Sequence, residues 1–401
     1  MSEKVLNKKS PIKSSWRGLL AIVIFLLPFW MLVVWFFLPG RKLLIAIVDK
    51  TVVEYPGQEH LSLHWILNQE KFLKNNTDRY EPNEDYFGFF PLEDEKYKLK
   101  GLERFDSTQL EKLSVDADAA YITDAYGVFR NEWFKQGNIQ DRSGIVYGGM
   151  SKQDLYFLEL MKQKRKLIIT EFNSIGSPTD PAIRNKFEQT FGIHWSGWIG
   201  RYFESFDTTI NKEIPSWLIK NYKRTHNDQW PFRKGGVAFI NADNDLVVIL
   251  ENEKHLKNGL PYIYASQEGV DHYGMPEKMK YSFWFDIINV NQNVNHVISD
   301  FRIDVNEAGQ AELAQYKIPS TFPAITTHMN SDYRFFYFSA DFCDNPISLS
   351  SSYFKGVALF KWMMYTEREP LERKSFFWRL YRPLVTTILN DYHDSIKKDK
   401  N

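Results

Sequence analysis

The chain has 401 residues with 50 basic and 50 acidic side chains, 16% aromatic content and a single cysteine, Cys343. One thiol excludes an intrachain disulfide and a multi-cysteine metal centre, so a body of this length must rest on a large apolar core. Five bases (Lys4, Lys8, Lys9, Lys13, Arg17) and one acid (Glu3) precede residue 19; the remaining 45 bases and 49 acids argue against a nucleic-acid partner.

Residues 1–18 read as a basic cytoplasmic tail. Residues 19–38, LLAIVIFLLPFWMLVVWFFL, hold twenty residues without a charge. At about 1.5 Å per residue such a run spans roughly 30 Å, one hydrocarbon core, and predicts a transmembrane signal anchor. The basic tail before it predicts an N-terminus inside and a body outside the cytoplasm, in a single-pass protein of a bacterial cytoplasmic membrane. Leu38-Pro39-Gly40-Arg41 offers no small-x-small cleavage site, which favours an uncleaved anchor.

Beyond it, residues 43–48 form an apolar run closed by Asp49, the pattern of a strand buried on both faces. A helix is predicted over 61–73. Residues 75–100 are charged and turn-rich and read as a surface excursion, with an aromatic strand at 86–90 and a sequon at Asn75-Asn76-Thr77. A second buried strand covers 119–123 and runs into Asp124. Ser151 caps a helix over 152–164, with Asp154 completing a near capping box. Residues 167–170 form the next strand, which turns at Glu171-Phe172-Asn173 into a helix over 179–190.

Strand, helix, strand, helix with short links implies parallel strands, and ligands gather at the carboxyl ends of such strands. Those ends carry Asp49, Asp124 with Tyr126, and Glu171 with Asn173. The plain alternative is that polar turn residues serve solvation alone.

The block Gly148-Gly149-Met150-Ser151, its helix, and Lys166-Leu167-Ile168-Ile169-Thr170 resembles the class I glutamine amidotransferase-like superfamily over about 43–205. The flavour is that of its non-enzymatic branches, such as trehalose-utilisation-like domains and the barrel-associated domains of some galactosidases. The resemblance implies an α/β fold with a parallel, flavodoxin-like sheet. Enzymatic members of the superfamily place a cysteine in a glycine-flanked elbow after such a strand. Here that place reads Thr170-Glu171-Phe172-Asn173-Ser174, and Cys343 lies far downstream. The amidotransferase nucleophile is absent.

Residues 191–203 mix aromatics and glycines, and His194, Trp195, Trp198, Arg201 and Tyr202 are candidates to line a sugar or anion site. A buried connector is the alternative. A hairpin is predicted across Asp243-Asn244-Asp245, then strands at 261–265, 281–288, 296–305, 311–318 and 333–342. His60 and His64 share a helix face but lack the glutamate of H-E-x-x-H, so no metal is assigned. No P-loop, G-x-S-x-G or G-x-G-x-x-G occurs, and no cofactor is expected. Cys343 reads as a small buried hydrophobe. Helices close the chain at 354–364 and from about 375, the second bending at Pro383.

The predicted layout is an amidotransferase-like domain over 43–205, a strand-rich α+β region over 206–345 packed on it, and C-terminal helices over 346–401. Two functions fit. One is a membrane-anchored, non-enzymatic binding or scaffold module, with the bilayer at 19–38 and a membrane complex or envelope polysaccharide as partner. The other is a glycan hydrolase using two carboxylates about 5–10 Å apart, Asp124 and Glu171, with Glu132 and Asp49 in reserve.

Overall fold

A computed structural model describes residues 16, 18, 23–54, 59–134, 143–330 and 332–398. Its centre is a ten-stranded mixed sheet. In chain order its strands are β1 (Ile45–Asp49), β2 (Phe87–Pro91), β3 (Tyr97–Leu99), β4 (Ala119–Asp124) and β5 (Leu167–Glu171). A second sheet then takes β6 (Ile193–Ser205), β7 (Lys234–Asn241) and β8 (Val247–Glu251). The first sheet resumes with β9 (Tyr262–Ala265) and β10 (Lys278–Lys280). After β11 (Phe285–Val290) of the second sheet come β12 (His296–Arg302), β13 (Thr321–His328) and β14 (Arg334–Phe338). The spatial order is β10-β9-β12-β13-β14-β5-β4-β1-β2-β3 in the large sheet and β8-β7-β6-β11 in the small one. Strands β14, β5, β4, β1 and β2 run parallel, and the flanking pairs are antiparallel. The sheet is therefore parallel only at its centre.

Alternation along the parallel strands builds two cores. Ile45, Ile47, Tyr121, Ile169 and Phe336 face one side, where Leu384 and Ile388 cover them. Ala46, Val48, Ala120, Ile122 and Ile168 face the other, against Leu158 and Phe187. Period-two burial on both faces is why these strands read as continuous apolar runs.

The predicted anchor is corrected. Among the described residues no helix is long and apolar enough to cross a membrane. Residues 19–22 of the predicted span, and nearly all of the basic tail, lie outside the described residues. What stands there is α1 (Leu27–Phe37), 11 residues, about half a hydrocarbon core at 1.5 Å per residue. Residues 23–25 are also helical, a turn at Leu26 separates them from α1, and Pro28 sits in the first turn of α1, where its missing N–H breaks no ladder. At the other end the chain turns extended at Leu38, and Trp35 is buried against the body. The Trp35 indole donates to the Asn68 carbonyl at 2.9 Å and packs edge-on to Tyr353. The single-pass topology, the inside N-terminus and the periplasmic placement fall with the anchor.

The remaining helices that position the site are α2 (Leu61–Gln69), α3 (Ser107–Asp116), α4 (Lys152–Gln163), α5 (Pro181–Phe191), α6 (Ser216–Thr225), α7 (Glu307–Gln315) and α8 (Arg382–Lys398). Ser151 caps α4 in a capping box with Asp154, as the sequence implied. Two predictions fail. Residues 311–315 of the strand predicted over 311–318 belong to helix α7, because the Asn306 side chain accepts from Gly309 N–H and starts a run of good helix formers. The strand predicted at 86–90 is present as β2, but it does not lie on a surface excursion, since it pairs in parallel with β1. The stretch predicted helical at 354–364 holds a 3₁₀ segment, Val357–Met363.

Candidate functional site

Four parallel strands end in acids on one edge of the sheet: β1 at Asp49, β4 at Asp124, β5 at Glu171, and β14 three residues before Asp341. Asp49 is sealed. Its carboxylate accepts from Thr51 N–H at 3.0 Å and meets His60 Nδ1 at 2.6 Å, while His60 Nε2 lies 2.8 Å from the Pro82 carbonyl. Asp124 accepts from the Thr51 hydroxyl at 2.8 Å, from Tyr126 N–H at 2.5 Å and from the Asn173 amide at 3.3 Å. Asn173 has a left-handed backbone (φ 65°), which asparagine tolerates better than most residues. Gly127 lets this turn lie against the 147–148 backbone, since a Cβ there would fall 2.1 Å from the Tyr147 carbonyl.

Three loop acids and one arginine complete the edge. Arg373 binds Asp341 at 3.0 Å and Asp344 at 2.6 Å, and its guanidinium lies 4.3 Å from the centre of the Phe283 ring. Glu59 joins them, and one ligand atom from each of Glu59, Asp341 and Asp344 lies within 4.8 Å of the others. That donor set has the oxygen chemistry of a hard-cation site, but Arg373 already neutralises two of its members. Glu59 Oε2 is buried with no hydrogen-bond partner. Burial, then the charges of Asp344 and Asp341, push the Glu59 carboxyl well up. Burial and Asp341 do the same to Asp124. Asp341 is pushed up to about 6 by burial, against the pull of Arg373. Arg373 also lines a cavity of about 430 Å³ with Tyr365, Leu371 and Glu372. The arrangement offers carboxylate acceptors, a fixed guanidinium donor and an aromatic ring beside an open volume.

No family model and no curated protein matches this chain. It is similar to a cytoplasmic protein from Salmonella typhimurium LT2, with 11% identity over 88% of this chain and 99% of that one and a TM-score of 0.35. A ThuA-like protein from Parabacteroides merdae shares 11% identity over 75% of this chain and 79% of that one, with a TM-score of 0.33. The β-galactosidase of Bacillus circulans sp. alkalophilus shares 8% over 78% of this chain, TM-score 0.32, and the match spans only 31% of the galactosidase. The likeness is distant and goes no further than fold.

The structure brings Asp49, Asp124 and Asn173 together, with the Tyr126 ring tilted against Phe129 beside them. It separates Glu171, whose oxygens are taken by the Tyr121 hydroxyl and by the Phe342 and Cys343 N–H groups at 2.8 and 2.9 Å. Glu171 is wholly buried and Asp124 is 5% exposed, so neither presents a carboxyl to solvent. Trp195, Trp198 and Tyr202 are buried in β6, which takes their ring faces for packing. Arg201 pairs with Glu213 at 2.9 Å and lies over Phe203. Glu132 caps locally, accepting from Phe129 N–H. His60 is engaged on both nitrogens, and Cys343 is buried. Sequence reasoning did not reach Glu59, Asp344 or Arg373. They come from separate loops and carry no spacing signal.

One buried acid lies between the sheets. Asp286 of β11 accepts from the Tyr337 hydroxyl of β14, and its Oδ1 is buried without a partner. Burial raises its pKa to about 7. Between the unfolded value near 4 and about 7, the folded state keeps a proton that the unfolded chain releases. Stability from this group is therefore full below pH ~4 and falls as pH rises through that window, by up to ~1.4 kcal/mol per pH unit. Thermal melts from pH 4 to 7 should show a falling midpoint that Asp286→Asn flattens. Parallel curves for the two proteins would exclude this origin.

Proposed function

We propose that the chain is a non-enzymatic binding module whose ligand is a neutral polysaccharide segment, held at the loop side of the carboxyl edge. The observation that supports this reading is the Asp341–Arg373–Asp344 set beside the 430 Å³ cavity. Sugar hydroxyls both donate and accept, so carboxylates next to a fixed guanidinium answer both needs, and the Tyr365 ring offers a face for stacking. The sealed states of Asp124 and Glu171 favour binding over carboxylate-driven hydrolysis, which requires both groups to reach the scissile bond.

Titration with a panel of soluble neutral oligosaccharides tests it. Wild type should bind at least one, and Asp344→Asn and Tyr365→Ala should each weaken that binding about tenfold or more, with no release of reducing sugar. No binding across the panel, or binding that both variants leave unchanged, overturns the proposal. Release of reducing ends overturns its non-enzymatic part.

A further inference from the structure

Helix α1 projects an apolar surface that none of the described residues covers. Phe29, Trp30, Phe36 and Phe37 are between 52 and 76% exposed, and no charge occurs from Leu27 to Phe37. The helix is nonetheless fixed in place. Besides the Trp35 anchor, Lys71 Nζ donates to the Phe36 and Leu38 carbonyls at 2.7 Å each, and Lys355 N–H donates to the Met31 carbonyl at 3.2 Å. Just past Lys355, the 3₁₀ segment adds Leu359 and Trp362, 79 and 69% exposed.

These six side chains expose on the order of 900 Å² of mostly apolar surface, judged from the area such residues carry. The largest patch on a typical monomer is about 300–600 Å². A standard interface buries roughly 800 Å² per partner, with aromatic residues and methionine at its centre and charge excluded from it. The neighbouring cations are engaged within the chain: Lys71 on the helix carbonyls, Arg79 over the Trp35 ring at 4.8 Å, and Lys355 on Glu70 at 3.0 Å. Lys361 stands between Leu359 and Trp362 in the 3₁₀ segment. Area and composition suit a protein partner that carries the same patch.

We infer that α1, with the Leu359 and Trp362 surface, is the interface for a second copy of this chain. A two-fold pairing sets α1 against its symmetry mate, each copy supplying the same aromatic row.

Sedimentation equilibrium of the full chain tests this. Wild type should weigh as a dimer at 10 µM protein. Trp30→Ser with Phe36→Ser should raise the dimer dissociation constant at least tenfold, with unchanged far-UV circular dichroism, since both side chains are exposed. Leu359→Ser with Trp362→Ser, on a different element, should weaken it in the same direction. A monomeric wild type, or a dimer indifferent to both pairs, overturns the inference. So does flotation of the monomer with phosphatidylcholine vesicles that the Trp30/Phe36 pair abolishes, which would assign the patch to lipid.

Discussion

Glu171→Ala is expected to lower the unfolding free energy by about 3–5 kcal/mol, whereas Glu171→Gln should cost less than about 1.5 kcal/mol. The difference follows from the hydrogen bonds. Alanine leaves the Phe342 and Cys343 N–H groups buried without an acceptor, and it strips the Tyr121 hydroxyl of its carboxylate acceptor. It also opens a cavity in a closely packed core. Glutamine keeps an oxygen for the two N–H groups and turns its amide toward Tyr121. The Tyr121 hydroxyl lies 3.0 Å from that of Tyr381, which in turn reaches Cys343 Sγ at 3.0 Å. When the amide donates to Tyr121, the two tyrosine protons rotate along the chain to Tyr381 and then to sulfur, and both hydroxyls stay satisfied. Burial pushes the Glu171 carboxyl well up, so the neutral amide also matches its favoured charge state. Urea unfolding of the three proteins checks this. A loss below about 1 kcal/mol for the alanine variant would mean that Glu171 is not a structural acceptor.

The sequence carried most information where local pattern and tertiary environment agree. Strands β1, β4 and β5 announce themselves because burial on both faces leaves no room for polar residues. Ser151 and Asp154 announce α4 because a capping box is a local device. The strand at 86–90 was legible, but its place in the central sheet was not, because Phe87–Pro91 is short and lies among charges and only pairing with β1 puts it there. The α7 segment carries Leu313 as its one large buried side chain, so neither helical nor strand periodicity was strong enough to decide. Residues 19–38 misled for a related reason: apolar composition alone cannot tell a lipid-facing helix from one that docks through a single tryptophan. At the site, Asp49, Asp124 and Glu171 were legible as strand-end acids, yet their exposure was not. Sealing depends on His60, Thr51, Phe342 and Cys343, which the fold gathers from three separate segments. Arg373 is the extreme case, meeting Asp341 from about thirty residues away across a turn that no motif encodes.

The second large effect is expected at Lys50, which leaves the end of β1 and runs into the core at 1% exposure. Its ammonium meets Asp154 at 2.5 Å and the Gly149 carbonyl at 2.9 Å, with Glu103 at 3.7 Å and the Tyr147 ring beside it. Lys50→Met should destabilise by about 3–5 kcal/mol, because it strands a carboxylate that is itself 1% exposed. Asp154→Ala should cost as much, and about 1 kcal/mol more for the lost cap, since the same carboxylate accepts from Ser151 N–H and from the Ser151 hydroxyl. The Lys50→Met/Asp154→Ala double variant should lose clearly less than the sum, because it leaves no uncompensated charge. A double-mutant cycle by urea unfolding should therefore return a coupling of about 2 kcal/mol or more. The pair bridges the end of β1 to the start of α4. If the cycle closes additively, Ser151 and Gly149 alone carry the two charges and the ion pair does not tie α4 to the sheet. If it does not, the charged tie between β1 and α4 sets the position of the whole carboxyl edge, because Asp49 and Thr51 flank Lys50 and hold His60 and Asp124 in turn.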